Sequence, residues 1–302
     1  MPTNAVLTLD DLDTWKSEGT CLAVLGHPIK HSISPAMHMA ALADMARQDP
    51  RFSAWRYVRF DVPPEQLPHA LDRLYAKGFF GLNLTVPHKV LAFPLVGIVD
   101  PEARPIGAVN TLRREPGGWR GFNTDGYGLS MAVRETLEIE LASSHVVLAG
   151  AGGAARGAAV ECLRKGCRSL WIGNRSADNL ARLLSDLRDL AGGIPVHGFS
   201  TASLPSGLPS RALVINATSA GLRQEDPLPI PLTELPDPAG VYDMIYNPAE
   251  TPLLLAARQL GIPSANGLSM LIHQGVRALE IWSEASVPVG AMREAATKAM
   301  GR

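Results

Sequence analysis

Val146-Val147-Leu148-Ala149-Gly150-Ala151-Gly152-Gly153-Ala154-Ala155 decides the fold: an apolar strand runs into a glycine turn and then into a helix. In that order the residue types have separate reasons. Gly150 permits the tight turn, and Gly152 lets the backbone approach a pyrophosphate closely. Gly153 and Ala154 open the helix, whose unpaired N–H groups and dipole favour an anion. Ala155 stands where a third glycine is usual and is still small enough for a helix to pack on a sheet. Glycine turns also cap helices for packing alone; the strand before and the helix after favour a dinucleotide.

The next strand selects the nicotinamide. Leu170-Trp171-Ile172-Gly173 ends in Asn174-Arg175-Ser176, with no carboxylate before Asp178. An acidic residue there would bind a ribose 2′-hydroxyl. Arg175 instead suits a 2′-phosphate, with Asn174 and Ser176 as donors, which points to NADP(H). The alternative for Arg175 is an ordinary solvated arginine.

Two polar clusters precede this unit, Asn83-Leu84-Thr85-Val86-Pro87-His88-Lys89 and Asn123-Thr124-Asp125-Gly126. Lys89 follows a strand and a Val-Pro bend, where strand ends deliver reactive groups. Asp125 lies at a loop-to-helix junction and reads equally as an N-cap. If the two meet, Asp125 holds and polarises the Lys89 ammonium, and either exchanges a proton with a substrate hydroxyl during hydride transfer. Taken singly, each reads as a cap or a surface charge. Asn83, Thr85, Asn110 and Thr111 add uncharged donors and acceptors that suit a polyol. In His31-Ser32-Ile33-Ser34-Pro35, Ser34 is expected to be the N-cap of a helix begun by Pro35. Ser32 and Ser34 there also form a cradle for a carboxylate. His31 and His88 lack a matching ligand set and read as structural; no metal site is expected.

The chain has 302 residues, enough for two ordinary domains. With 28 basic against 29 acidic residues and no basic run, nucleic acid is an unexpected partner. No apolar stretch is long enough to cross a membrane, and the N-terminus does not read as a secretory signal. Cys21, Cys162 and Cys167 are too scattered for a disulfide framework and read as buried free thiols, which places the chain in a reducing cytoplasm.

Periodicity predicts strands at 21–25, 55–62 and 79–84 around helices at 34–46 and 67–77, a βαβαβ order with a mostly parallel sheet. A hairpin is expected between 109–112 and 119–121, turning at 114–118. Further strands are expected at 170–173, 212–216 and 241–245, and an irregular proline-rich loop at 223–238. Residues 270–300 read as helical, as does a short stretch from Asp10 to Lys16.

With these motifs the chain resembles the shikimate dehydrogenases over nearly its whole length. Matching runs are 26–35, 83–89, Gly107-Ala108-Val109-Asn110-Thr111, 123–126, 150–155 and 174–176. Asn216-Ala217-Thr218-Ser219, Asp243-Met244-Ile245-Tyr246-Asn247-Pro248 and 267–274 complete the set. The resemblance implies a two-domain α/β fold. Residues 1–120 and 267–302 would form an N-terminal βαβ substrate domain to which the C-terminal helices return. Residues 121–266 would form a Rossmann-type NADP-binding domain, with a cleft that closes on binding.

The implied activity is the reversible NADPH-dependent reduction of 3-dehydroshikimate to shikimate, in aromatic amino-acid (chorismate) biosynthesis. By the same resemblance Lys89 and Asp125 are the catalytic pair. Ser32 and Ser34 bind the substrate carboxylate; Thr85, Lys89, Asn110, Asp125 and Gln274 bind ring hydroxyls, and Tyr246 lines the pocket. Thr218, Met244 and Gly267 join the cofactor set. A homodimer is compatible with the resemblance. Two features depart from the family pattern. Asn174-Arg175-Ser176 replaces Asn-Arg-Thr, and Asp178-Asn179 stand where a second basic residue is common, which opens some use of NAD. About 20 residues precede the first strand, read as a cap on the substrate domain. The alternative reading is a dual-specificity or catabolic quinate/shikimate dehydrogenase using NAD or NADP.

Overall fold

A computed structural model of the protein describes residues 5–16 and 19–301. It divides into two compact units, residues 1–124 with 274–302 and residues 125–273.

The first unit is built on a seven-stranded mixed sheet. In chain order its elements are β1 (Val6–Leu7), β2 (Cys21–Gly26), α1 (Ser34–Gln48), β3 (Arg56–Asp61), α2 (Leu67–Ala76), β4 (Gly81–Leu84) and α3 (His88–Leu91). β5 (Ile98–Val99), β6 (Thr111–Glu115) and β7 (Gly118–Phe122) follow. The strand order is β1-β3-β2-β4-β6-β7-β5. β1, β3, β2 and β4 run parallel, as the βαβαβ pattern predicts, and β6 is antiparallel to both β4 and β7. The β6–β7 hairpin is tighter than expected: Glu115 pairs with Gly118, so only Pro116 and Gly117 turn, with Gly117 at φ 87°. β2 and β4 are buried along their length, which is why they read as unbroken apolar runs. Leu25, Phe60, Leu71, Leu74, Phe79, Leu82 and Leu112 are core residues here, each worth about 1.5–3 kcal/mol of burial.

The second unit runs α4 (Asp125–Leu137), β8 (His145–Ala149), α5 (Gly153–Arg164), β9 (Ser169–Asn174), α6 (Ala177–Leu187), β10 (Val196–Ser200) and β11 (Leu213–Asn216). β12 (Gly240–Asp243), α7 (Pro252–Gln259) and β13 (Ser264–Asn266) complete its sheet. Its order is β10-β9-β8-β11-β12-β13, all parallel. Counted from β8 this is the 3-2-1-4-5-6 order of a Rossmann sheet, whose topological switch lies between the first and fourth strands. That puts the switch at β8 and β11, where Gly150 follows one strand and Ala217 the other.

α8 (Leu268–Ser283) and α9 (Val289–Ala299) end the chain. The expected single helical stretch is therefore two helices, broken where Glu284 takes φ 51° and Pro288 precedes α9. The Trp282 indole donates to the Leu112 carbonyl at 2.9 Å. A Cβ on Gly81 would lie 2.4 Å from the same ring, so β4 needs glycine there. The helix expected at 10–16 is a single 3₁₀ turn over Asp10–Leu12, held by Thr8 N–H on the Asp11 carboxylate at 2.7 Å. The seams expected at 120/121 and 266/267 fall at 124/125 and 273/274.

Cys21, Cys162 and Cys167 are buried free thiols. No helix among the described residues is long and apolar enough to cross a membrane.

Candidate active site

Of the expected substrate and catalytic residues, Ser32, Ser34, Thr85, Lys89, Asn110 and Gln274 belong to the first unit. Asp125, Tyr246 and the whole cofactor set belong to the second.

In the first unit, β4 carries the chain to Thr85, whose N–H donates to the Leu25 carbonyl at 3.0 Å. A Cβ on Gly26 would sit 2.4 Å from the Thr85 methyl, so the glycine ending β2 is what lets Thr85 in. The chain turns at Thr85, its carbonyl accepting from His88 N–H at 2.8 Å, and delivers half-buried Lys89 on α3. Val109 N–H donates to the Lys89 carbonyl at 2.9 Å, tying α3 to the segment that holds Asn110. His88 itself is buried and its Nε2 donates to the Val62 carbonyl at 2.8 Å. Burial lowers its pKa, so the ring is a neutral strut.

Asn110 is the centre of the polar group. Its Oδ1 accepts from Thr124 N–H at 2.9 Å, and its Nδ2 donates to Thr124 Oγ1 at 3.0 Å and to Gln274 Oε1 at 3.5 Å. Residues 110, 124 and 274 are thus brought together. Asn83, expected as one more substrate-side group, is 6% exposed and turned to structural partners: Tyr57, Asn110 and Thr111. Tyr57 was not foreseen; a tyrosine in an alternating strand carries no signal that its hydroxyl is used inside.

The N-cap expectation for Ser34 is corrected. Ile33 takes helical angles, φ −91° and ψ −2°, and holds the cap position, so Ser34 is the first residue inside α1 and Pro35 the second. Ser34 N–H meets the Ser32 hydroxyl oxygen at 3.4 Å, and the Ser34 side chain hydrogen-bonds Tyr57. Asp125 likewise stands inside its helix, as the first residue of α4, where a carboxylate complements the helix dipole.

In the second unit the glycine turn is as its sequence demands. Gly150 has φ 118°, a backbone that L side chains rarely adopt. A Cβ on it would come within 3.1 Å of the Ala217 carbonyl and the Thr218 methyl. Gly152 caps α5, and a Cβ on Gly152 or Gly153 would project into open space. Gly152 lines a cavity of about 450 Å³ together with Gly150, Asn174, Arg175, Thr201 and Thr218 among others. Ala154 follows Gly153 in the first turn of α5. A cradle of glycines at a helix N-terminus, open to an arginine at the end of the next strand, fits a dinucleotide carrying a 2′-phosphate. Thr201 was not foreseen, because it follows β10, an edge strand whose mixed sequence has no apolar run.

At the β9–α6 turn, Asn174 Nδ2 donates to the Ser176 carbonyl at 2.9 Å, and Ser176 Oγ accepts from Asn179 N–H at 3.3 Å as the cap of α6. Both residues shape the turn, and Arg175 is its exposed cation. Arg182, further along α6, is turned to Asn179 Oδ1 at 2.7 Å.

Thr218 is fixed by its hydroxyl and N–H on Asn216 Oδ1, at 2.7 and 3.0 Å. Asn216 Nδ2 in turn donates to buried Asp243 at 3.0 Å. Thr251 Oγ1 and Ile245 N–H donate to the same carboxyl at 2.6 and 3.0 Å, and burial raises its pKa. This group anchors the segment of Met244 and Tyr246. Gly267 N–H donates to the Ile245 carbonyl at 3.0 Å, and a Cβ on Gly267 would lie 2.1 Å from the Met244 carbonyl, so these two segments touch backbone to backbone. Among the described residues no group of three or more His, Cys, Asp or Glu side chains could hold a metal ion.

Known proteins resemble the chain over most of its length. Residues 24–112 match the shikimate dehydrogenase substrate-binding domain, and 267–297 the shikimate 5′-dehydrogenase C-terminal domain. A relative from Moorella thermoacetica, named shikimate dehydrogenase (NADP(+)), is 38% identical over 95% of both chains. The Thermus thermophilus shikimate 5-dehydrogenase, solved with NADP(H) and shikimate, is 32% identical, with a TM-score of 0.80 over 93% of this chain and 99% of that one. A quinate dehydrogenase from Corynebacterium glutamicum, solved with NAD, is 30% identical, with a TM-score of 0.79 over 92% and 98%. Relatives 38–39% identical over 95% of the chain place it in the shikimate dehydrogenase family.

Proposed function

We propose that the protein catalyses the NADP-linked interconversion of shikimate and 3-dehydroshikimate, a step of aromatic amino-acid biosynthesis. The observation that carries this reading is the cluster in which Asn110, Thr124 and Gln274 gather from distant parts of the chain, in a protein that also holds the glycine cradle and Arg175.

Oxidation removes a hydride from the substrate carbinol carbon and a proton from its oxygen, leaving the ketone. Bound NADP supplies the two-electron acceptor in that direction. The chain's own residues handle the proton and the orientation. Lys89 Nζ and the Asp125 carboxylate form the proton-transfer pair, one receiving the hydroxyl proton while the other balances its charge. Ser32 and Ser34 bind the substrate carboxylate. Thr85, Asn110 and Gln274 bind ring hydroxyls, and Tyr246 lines the pocket. The backbone at Gly150, Gly152, Gly153 and Ala154 holds the pyrophosphate; Asn174, Arg175 and Ser176 hold the 2′-phosphate end. Thr218, Met244 and Gly267 complete the cofactor set. A cytoplasmic protein working alone or as a homodimer is consistent with this activity.

A second reading, broader specificity with some use of quinate or NAD, is favoured by one observation. Asn174 and Ser176 are bonded into their own turn, so discrimination for the 2′-phosphate falls mainly on exposed Arg175. Rates for shikimate and quinate, each with NADP and NAD, decide between them. A dominant shikimate–NADP rate supports the first reading, and strong quinate or NAD rates support the second. No turnover with any pair overturns both.

A further inference from the structure

Tyr57 lies on β3 and is wholly buried. Such a phenol is costly to keep inside unless its hydroxyl is used. Here it is used twice: Tyr57 Oη is 2.7 Å from Asn83 Oδ1, and the Ser34 side chain hydrogen-bonds the same oxygen.

The direction of each bond can be worked out. Asn83 Nδ2 faces the Asn110 backbone carbonyl at 3.2 Å, and a carbonyl only accepts. The amide edge there must be the NH₂, which turns the Asn83 oxygen to Tyr57 and makes Tyr57 the donor. The phenol has one proton, so the Ser34 hydroxyl donates to it. Asn83 Nδ2 also donates to Thr111 Oγ1 at 3.1 Å, and Thr111 in turn donates to Asn110 Oδ1 at 3.0 Å. Thr124 N–H, which only donates, fixes the same oxygen at 2.9 Å. Asn110 Nδ2 is thereby turned to Gln274 Oε1.

One polarised chain therefore runs from Ser34 through Tyr57, Asn83 and Thr111 to Asn110 and Gln274. It joins α1, β3, β4, β6 and α8. His38 locks the phenol ring from α1, stacked at 4.0 Å and 13°, while its Nδ1 donates to the Ser34 carbonyl at 2.9 Å.

We infer that Tyr57 is a positioning residue for substrate, acting through Ser34 at the carboxylate end and through Asn83 and Asn110 at the ring-hydroxyl end. The inference rests on the substrate reading above. The Asn110 carbonyl and Thr124 N–H set the two amide orientations; the Tyr57 hydroxyl holds the position of the Asn83 oxygen and of the Ser34 hydroxyl. The Ser34 hydroxyl has one proton, so a bound carboxylate takes it in exchange for the bond to Tyr57, and the phenol places the Ser34 oxygen before that exchange.

The test is Tyr57→Phe in the full chain, with kcat and both Michaelis constants measured beside the parent. The ring and its stacking are kept and only the oxygen is removed. The expected result is a shikimate KM raised about tenfold, kcat within about threefold, an unchanged NADP KM and little change in unfolding midpoint. A residue with a purely structural role would lower the midpoint and leave the shikimate KM where it was; that outcome, or equal shifts in both KM values, overturns the inference. Thr111→Val breaks the same chain from its other end without loss of volume. It is expected to give the same split, which also keeps the test open if Tyr57→Phe fails to fold. The double variant should be less impaired than the product of the two single effects, because both cut one network; a full product overturns the inference. A parent inactive on shikimate would sink the substrate reading and this inference together. An active parent with an unmoved shikimate KM in Tyr57→Phe sinks the inference alone.

Discussion

Replacing Arg175 with alanine probes the cofactor assignment at its least redundant point. Arg175 follows β9, is exposed, and among the described residues makes no ion pair. A hydrogen bond to a charged group contributes roughly 1.5–3 kcal/mol, and solvent screening at an exposed site leaves about 1–2 kcal/mol of that. At 1.4 kcal/mol per factor of ten, Arg175→Ala should raise the NADP KM by roughly 5- to 30-fold. NAD lacks the 2′-phosphate, so its KM should stay within about twofold, and kcat with saturating NADP should hold. The assay is initial rate against each nicotinamide at fixed, saturating shikimate, repeated at low and high salt. The parent's NADP KM should rise with ionic strength and the variant's much less, since the screened interaction has been removed. Equal damage with NAD and NADP would refute the argument and make Arg175 a structural part of the β9–α6 turn.

Other expectations follow from the same structure. Lys89→Ala should lower kcat by about 10²–10⁴ with unchanged circular dichroism, because the side chain is half-exposed; turnover within a few-fold of the parent would remove Lys89 from the mechanism. Gly267→Ala puts a Cβ 2.1 Å from the Met244 carbonyl, and overpacking of this kind should cost about 1–3 kcal/mol in urea unfolding; an unchanged midpoint would mean the two segments part easily. His38 is buried and its pKa is lowered to about 4, chiefly by desolvation. The unfolded chain therefore binds a proton that the folded one refuses, and stability should be full above about pH 6.5 and fall by up to about 3 kcal/mol on acidification to about pH 4. Unfolding titrations across that range should show this slope in the parent and lose it in His38→Gln; an identical slope in the variant would assign it to other groups.

How much of this was legible in the chain depended on where the information lay. β8, the glycine turn and α5 could be read directly, because a strand buried on both faces is a continuous apolar run and a positive φ demands glycine. β1 and β5, of two residues each, leave no period to detect. β10 has a pattern of mostly exposed positions, and β13 holds only Ser264–Asn266; neither edge strand carries a buried run. Ser34 misled by chemistry: a serine before proline is a good cap, but its hydroxyl is taken by Tyr57, and the helix starts a residue earlier through Ile33. The cluster of Asn110 with Thr124 and Gln274 spans 164 positions at its widest bond. Local patterning cannot encode such a meeting, and only resemblance to a family named Gln274 in advance. Tyr57 and Asn83 show the converse limit, since a polar residue in a strand looks alike whether it faces a substrate or a neighbour.

The division of the chain also bears on how it is made. Residues 125–273 are continuous, and every strand of their sheet has emerged before α8 is finished. The first unit is interrupted: Trp282, which bonds Leu112 and packs on Gly81, comes late in the chain, 170 positions from its hydrogen-bond partner. On the ribosome β4 therefore stands with an unfilled socket through the whole synthesis of the second unit. Domains generally fold as they emerge, so the nucleotide-binding half should mature first, although the other half began earlier. The last thirty residues then act as a delayed clasp, and a protein truncated before α8 should retain a folded cofactor half attached to an unfinished partner.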